Sequence, residues 1–170
     1  MPILFPAYRI NRVTDLTPDR LRKMGLTALL LDVDCTLKRY SAQLPDQDIL
    51  DWIGLMRSSG IFLCLLSNGK VPRISRTAES LGLPFIAMAL KPFPCGCRKA
   101  MKKYCLEKKN TAIVGDQLFA DIIAGNSAGL TSILVTPIHP EEEHWFTRIK
   151  RPFERILLRS SRGVRHFPDE

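Results

Sequence analysis

Asp32 and Asp34 close an apolar run that begins at Ala28, and Thr36 follows at the same two-residue spacing. On an extended segment such alternate residues leave one face of the chain, their side chains roughly 6–7 Å apart. Three further apolar runs end in residues of comparable chemical use. Ile61 to Ser67 ends in a hydroxyl, Pro84 to Leu90 runs out at Lys91, and Thr111 to Asp116 ends in an acid, with Asp121 five positions on. Carboxylates gathered at one edge repel one another and take up protons unless a cation sits among them. With only oxygen donors on offer the expected cation is Mg²⁺, which takes one or two carboxylates, waters and a phosphate oxygen. Ser67 and Lys91 would then meet the remaining phosphate oxygens. The bland alternative is that aspartates at strand ends make turns and helix caps. It suits any one of these residues and fits poorly a whole set at consecutive strand ends.

The elements that must bring these residues together follow from periodicity. The runs Ala28 to Asp34, Ile61 to Ser67, Pro84 to Leu90, Thr111 to Asp116 and Thr131 to Pro137 are short, apolar and free of polar alternation, as strands covered on both faces are. Helical spacing lies between them. It links Ile49, Leu50, Trp52, Ile53, Leu55 and Met56 before Ser59-Gly60, then Val71, Ile74, Ala78 and Leu81 before Gly82. Ala100, Met101, Tyr104 and Cys105 fit a third helix, and Phe119, Ile122 and Ile123 a fourth. Thr17-Pro18 reads as an N-cap with proline at the first helical position. Alternating strands and helices predict right-handed βαβ units, hence a three-layer α/β sandwich around a Rossmann-like parallel sheet. Ligands bind such sheets at the carboxyl ends of the strands, which is where the acids, Ser67 and Lys91 fall.

Composition narrows the class. The 170 residues are 45% hydrophobic and 25% charged, the balance of one globular domain rather than a disordered or fibrous chain. No apolar run approaches the ~20 residues of a bilayer span. The start MPILFPAYRI lacks the basic opening and long apolar stretch of a secretory signal, so none is read. Five cysteines, an odd number, suggest reduced thiols and a cytoplasmic setting. Cys95, Cys97 and Cys105 invite a zinc reading, but a structural zinc wants four ligands in spaced pairs, so the first two are read as helix-start residues. The net charge of +8 is concentrated late, with seven basic residues against one acid from Thr147 to Arg165. Such a tail favours polyanions: nucleic acid, an anionic membrane face or phosphorylated substrates.

Asp32-x-Asp34-x-Thr36, Ser67, Lys91 and Gly-Asp116-x-x-x-x-Asp121, in that order, resemble motifs one to four of the haloacid-dehalogenase-like (HAD) phosphatases. Through LLLDVDCTL, LLSNGK, ALKPFPCGCRKAM, VGDQLFADIIAGN and RIKRPFERILL, the chain is more closely similar to the capless YqeG branch, related to the mitochondrial and plastid phosphatidylglycerophosphate phosphatases. The resemblance spans roughly Pro6 to Arg159. It implies Asp32 as nucleophile, forming an aspartyl-phosphate, and Asp34 as the acid that protonates the leaving oxygen and then the base that activates water. It implies Mg²⁺ held by Asp32, the Asp34 main-chain carbonyl, Asp116 and Asp121, and Thr36 orienting Asp34 and its loop. Ser67 and Lys91 would stabilise the equatorial oxygens. The chain departs from the pattern at Cys35, where relatives carry Asn or Glu, and at Gly69, where Asn is more usual.

Residues 37–60 and 69–83 leave no room for a cap domain, so the site is expected to be open, which suits a phosphate displayed on something large. On a helix, Trp145, Phe146, Ile149, Phe153, Ile156 and Leu157 would share an apolar sector, with Arg148, Lys150, Arg151, Arg155 and Arg159 facing away. That is the build of a helix lying on anionic lipid; equally, the apolar face could pack on the domain, and Pro152 interrupts the stretch. The expected function is thus a Mg²⁺-dependent phosphomonoesterase acting on a lipid head group, favoured as phosphatidylglycerophosphate, with peripheral membrane contact through a tail at about 145–165. The alternatives are the same chemistry on a phosphoprotein, nucleotide or small phosphate ester, and a non-catalytic RNA- or ribosome-binding protein. Intact Asp32 and Asp34 speak against the last.

Overall fold

The computed structural model describes residues 3–139 together with residues 152, 165 and 166. Its strands are β1 (Tyr8–Ile10), β2 (Ala28–Leu31), β3 (Phe62–Leu66), β4 (Phe85–Ile86), β5 (Thr111–Gly115), β6 (Thr131–Val135) and β7 (Arg165–His166). Every pairing is parallel, in the order β4-β3-β2-β5-β6-β1-β7. The five expected runs each supply a strand, β2, β3, β4, β5 and β6. The expected amphipathic tail lies, apart from residues 152 and 165, outside the described residues.

The helices are α1 (Pro18–Lys23), α2 (Gln47–Ser58), α3 (Val71–Leu81), α4 (Cys95–Lys103) and α5 (Ile123–Ala128). Successive strand residues point to opposite faces, and the core divides accordingly. Leu29, Leu31, Leu63, Leu65, Ala112 and Val114 pack with Leu21 of α1, Trp52 and Met56 of α2 and Ala78 of α3. Leu30, Cys64, Leu66 and Ile113 pack on the other side with Cys97, Ala100 and Met101 of α4 and Ala124 of α5. The Trp52 indole N–H donates to the Leu16 carbonyl at 2.7 Å, tying α2 to the segment before α1. As expected, the Thr17 hydroxyl caps α1, accepting from the Arg20 N–H at 3.3 Å.

Between β2 and β3 the described chain has a loop at 32–46 and α2, and between β3 and β4 it has α3, with no cap inserted at either place. The strand expected over Pro84 to Leu90 is only two residues long. Met88 and Leu90 adopt left-handed backbone (φ 49° and 57°), which ends the extended run and turns the chain toward α4.

Candidate active site

Register brings the acids together. Leu31 lies opposite Val114, and the Asp32 N–H donates to the Val114 carbonyl at 2.9 Å. Asp32 and Asp116 therefore leave two adjacent central strands at the same edge. A π-helical turn, Leu118–Ile122, then folds Asp121 back under them. The Asp121 N–H donates to the Gln117 carbonyl at 2.9 Å, and the Asp121 Oδ2 accepts from the Gln117 N–H at 3.1 Å. Gly115 makes this return possible: a Cβ there would lie 2.3 Å from the Asp121 carboxyl carbon. Carboxylate oxygens of Asp32, Asp116 and Asp121, all three buried, lie within 4.8 Å of one another.

Lys91 reaches the same place from the loop after β4. Its buried ammonium donates to Asp32 Oδ1 at 2.5 Å, to Asp121 Oδ1 at 2.6 Å and to the Leu66 carbonyl at 2.9 Å. Burial works against the Lys91 charge, yet Asp121 and Asp32 outweigh it and hold the ammonium protonated. Burial pushes the Asp32 carboxyl up to about 7, with Asp121 and Asp34 adding to the rise and Lys91 opposing it. Asp121 is raised too, first by burial. The second oxygen of Asp32 is buried without a hydrogen-bond partner. An orphaned carboxylate oxygen among buried acids is what an oxygen-seeking divalent cation fits.

The Asp34 carboxylate lies outside this cluster. Arg73, on α3, grips it through both guanidinium nitrogens at 2.9 and 2.5 Å, and the Lys38 ammonium approaches at 3.4 Å. Burial alone would raise the Asp34 carboxyl, but Arg73 and Lys38 prevail and hold it below its ordinary value. The Thr36 hydroxyl donates to Asp116 Oδ1 at 3.1 Å, not to Asp34 as expected, so it steadies an acid of the cluster. Ser67 is buried, and its Oγ accepts from the Gly69 N–H at 3.1 Å. Asp32, Asp34, Ser67 and Lys91 line one cleft of about 190 Å³.

Two positioning side chains, Arg73 and Lys38, escape the sequence reading, and a third, Asn68, gains its role from the structure. Asn68 clamps the Lys91 backbone, donating to its carbonyl at 2.9 Å and accepting from its N–H at 2.8 Å. Arg73 and Lys38 hold Asp34. Helical spacing put α3 in place, but nothing in the spacing aimed Arg73 at an acid 39 positions away. Cys35, the departure inside motif one, is buried with left-handed backbone (φ 62°). Cys95 and Cys105 are exposed, and burial pushes the Cys97 thiol up to about 12.

Comparison with known proteins agrees with this arrangement. A HAD-hydrolase-like family model matches residues 89–144, the stretch from the Lys91 loop through Asp121. The chain is 29% identical over 161 residues, 95% of its length and 93% of the relative's, to the probable phosphatase YqeG of Bacillus subtilis (strain 168). The chain is thus similar to HAD-type phosphatases. Among solved structures, the chain shares its fold with the cobalt-bound deoxy-D-mannose-octulosonate 8-phosphate phosphatase YrbI of Haemophilus influenzae, at TM-score 0.55 and 19% identity over 82% of this chain and 90% of that one. A subfamily IIIA HAD hydrolase from Legionella pneumophila gives TM-score 0.50 and 17% identity over 68% of this chain and 67% of that one.

Proposed function

We propose that this chain is a HAD-type, Mg²⁺-dependent phosphomonoesterase that works through an aspartyl-phosphate on Asp32, as one hydrolase domain, with phosphatidylglycerophosphate as its favoured substrate. The observation that carries the reading is the Asp32 carboxylate, with one oxygen on the Lys91 ammonium and the other buried and unpartnered among acids. Asp32, Asp116 and Asp121, with the Asp34 main-chain carbonyl, would hold the ion, and the cobalt in the YrbI relative supports a divalent metal. When bound, Mg²⁺ offsets the charge between carboxylate and phosphate.

In the first step an Asp32 carboxylate oxygen attacks phosphorus in line, and the bond to the leaving oxygen breaks. The proton for that oxygen arrives on the phosphate monoanion; Asp34, ionised in the free site, takes it up and passes it to the leaving oxygen. In the second step Asp34 takes a proton from water, whose oxygen attacks the same phosphorus and restores the Asp32 carboxylate. Arg73 and Lys38 keep Asp34 aimed while it does so. Lys91 and Ser67 stabilise charge on the equatorial oxygens, and Asn68 fixes the backbone that carries Lys91.

The lipid rests on the sequence's resemblance to phosphatidylglycerophosphate phosphatases. Its structural support is the loop that carries Lys91, which exposes Met88, Leu90 and Phe93 at 59%, 59% and 65%. Three bare apolar side chains around a catalytic lysine suit a substrate presented at an interface. No helix among the described residues is long and apolar enough to cross a membrane; the contact proposed at the cytoplasmic face is a peripheral one.

The test is phosphate release from phosphatidylglycerophosphate in anionic vesicles, with wild type and Asp32→Asn compared in Mg²⁺ and in chelator. Release that needs both Asp32 and the metal is the expected result. Mg²⁺-dependent hydrolysis of an aryl phosphate without lipid hydrolysis would discard the lipid and keep the mechanism. Silence of folded protein on both substrates would overturn the enzyme.

A further inference from the structure

Beside the catalytic cleft lies a larger groove of about 750 Å³, between the loop at 38–44 and the outer face of α3. The two share Arg73, which lines both while holding Asp34. Lys70, the residue that precedes α3, stands three residues before Arg73 and six before Arg76 of that helix, and all three line the groove as one stripe. The rise per residue makes that stripe about 9 Å long, leading away from the reacting phosphate.

The charges in the groove are unbalanced. None of its lining residues is acidic. Lys38 is buried and spends its ammonium on the Ala42 carbonyl at 2.7 Å, the Arg39 carbonyl at 3.3 Å and Asp34. Arg73 is committed to Asp34. Lys70 and Arg76 are exposed and have no hydrogen bond or ion pair among the described residues. The opposite wall offers Tyr40 and Leu44, which are 43% and 51% exposed. A groove with free cations along one side and carbon along the other, opening from a phosphatase centre, fits a leaving group with a carbon body and an anion of its own.

We propose that this groove is the leaving-group subsite, and that Lys70 and Arg76 select phosphomonoesters carrying a second anionic phosphate group a few carbons beyond the scissile one. The inference rests on the phosphatase reading and narrows its substrate class. A lipid phosphodiester and a free second phosphate would both satisfy it.

Three probes of equal spacing separate these cases: 3-hydroxypropyl phosphate, propane-1,3-diol bisphosphate and short-chain dihexanoyl phosphatidylglycerophosphate. Binding is measured by calorimetry in Mg²⁺ on Asp32→Asn protein, and kcat/KM on protein with Asp32 intact. The expected result is at least tenfold tighter binding of a two-anion probe over the one-anion probe. That advantage should shrink to about twofold when Lys70→Gln and Arg76→Gln are added. Lys99→Gln with Lys102→Gln, which removes the same charge from α4, should leave it in place. An advantage confined to the lipid probe assigns the groove to a head-group phosphodiester, and one confined to the bisphosphate assigns it to a free phosphate. Equal binding of all three, or an advantage that survives loss of Lys70 and Arg76, overturns the subsite. If the binding advantage holds while none of the probes is hydrolysed, the subsite stands and the proposed catalytic function falls.

Discussion

Among the described residues the buried carboxylates of Asp32 and Asp121 share the Lys91 ammonium, with Asp116 beside them, and this crowding has a pH signature. With the folded Asp32 carboxyl at about 7 against an ordinary 3.8, the folded protein holds a proton between those values that the unfolded chain has released. Stability of the metal-free protein therefore falls as pH rises through that window, and Asp121 adds to the same slope. Asp34, lowered by Arg73, is ionised in both states there and contributes a loss only at more acid pH. Thermal melts at pH 5 and pH 8 should show Mg²⁺ stabilising more at pH 8. At a hundredfold excess over Kd the gain is about 2.7 kcal/mol, or roughly 5–10 °C; equal shifts at both pH values would remove the cation from this cluster. Arg73→Gln should let the Asp34 carboxyl rise, moving the acid limb of the kcat/KM profile to higher pH. Asn68→Ala frees the Lys91 backbone and should cost kcat about 10–100-fold with little change in melting temperature. The strand-end residues were legible because parallel strands deliver their carboxyl ends to one edge. Arg73 and Lys38 end no strand; as single residues in a chain with 25 Lys and Arg, their meaning appears only once packing sets them beside Asp34.

Elements were legible where apolarity and burial coincide and illegible where they part. β2 and β5 are buried at every position, and their runs were unmistakable. The run from Pro84 to Leu90 looked the same, but Met88 and Leu90 are exposed and left-handed, so their apolar character marks a surface rather than a strand. Tyr8–Ile10 is a three-residue strand, too short for any period to register. The loop that replaced the expected strand is pinned at both ends: the Met88 N–H donates to the Gly69 carbonyl and the Gly96 N–H to the Ala89 carbonyl, at 3.0 and 3.1 Å. Gly96 is thereby explained, since a Cβ there would lie 2.6 Å from the Ala89 carbonyl oxygen. Gly96→Ala must displace backbone next to Lys91. It should cost about 1–3 kcal/mol in chemical denaturation and lower kcat as well; a variant that melts normally and turns over normally would show the loop to be more pliant than its contacts suggest.

The whole molecule carries a net charge of +8 around an uncapped site, which gives the lipid reading a property to measure. Turnover on anionic vesicles should drop at least severalfold between 50 and 500 mM salt, while turnover of a soluble aryl phosphate changes little, because screening acts on the approach to the surface. A common salt response for both substrates would place the charge at the active site alone. The sheet has a temporal consequence as well. Tyr8 pairs with Ile133 and Ile10 with Val135, so β1 belongs beside a strand made much later. During synthesis β1 leaves the ribosome well before residues 131–135, the strand it pairs with, follow it. The central strands β2, β3 and β5, and with them the candidate catalytic edge, can assemble while β1 still waits, and its docking is a late event that extends an already formed sheet.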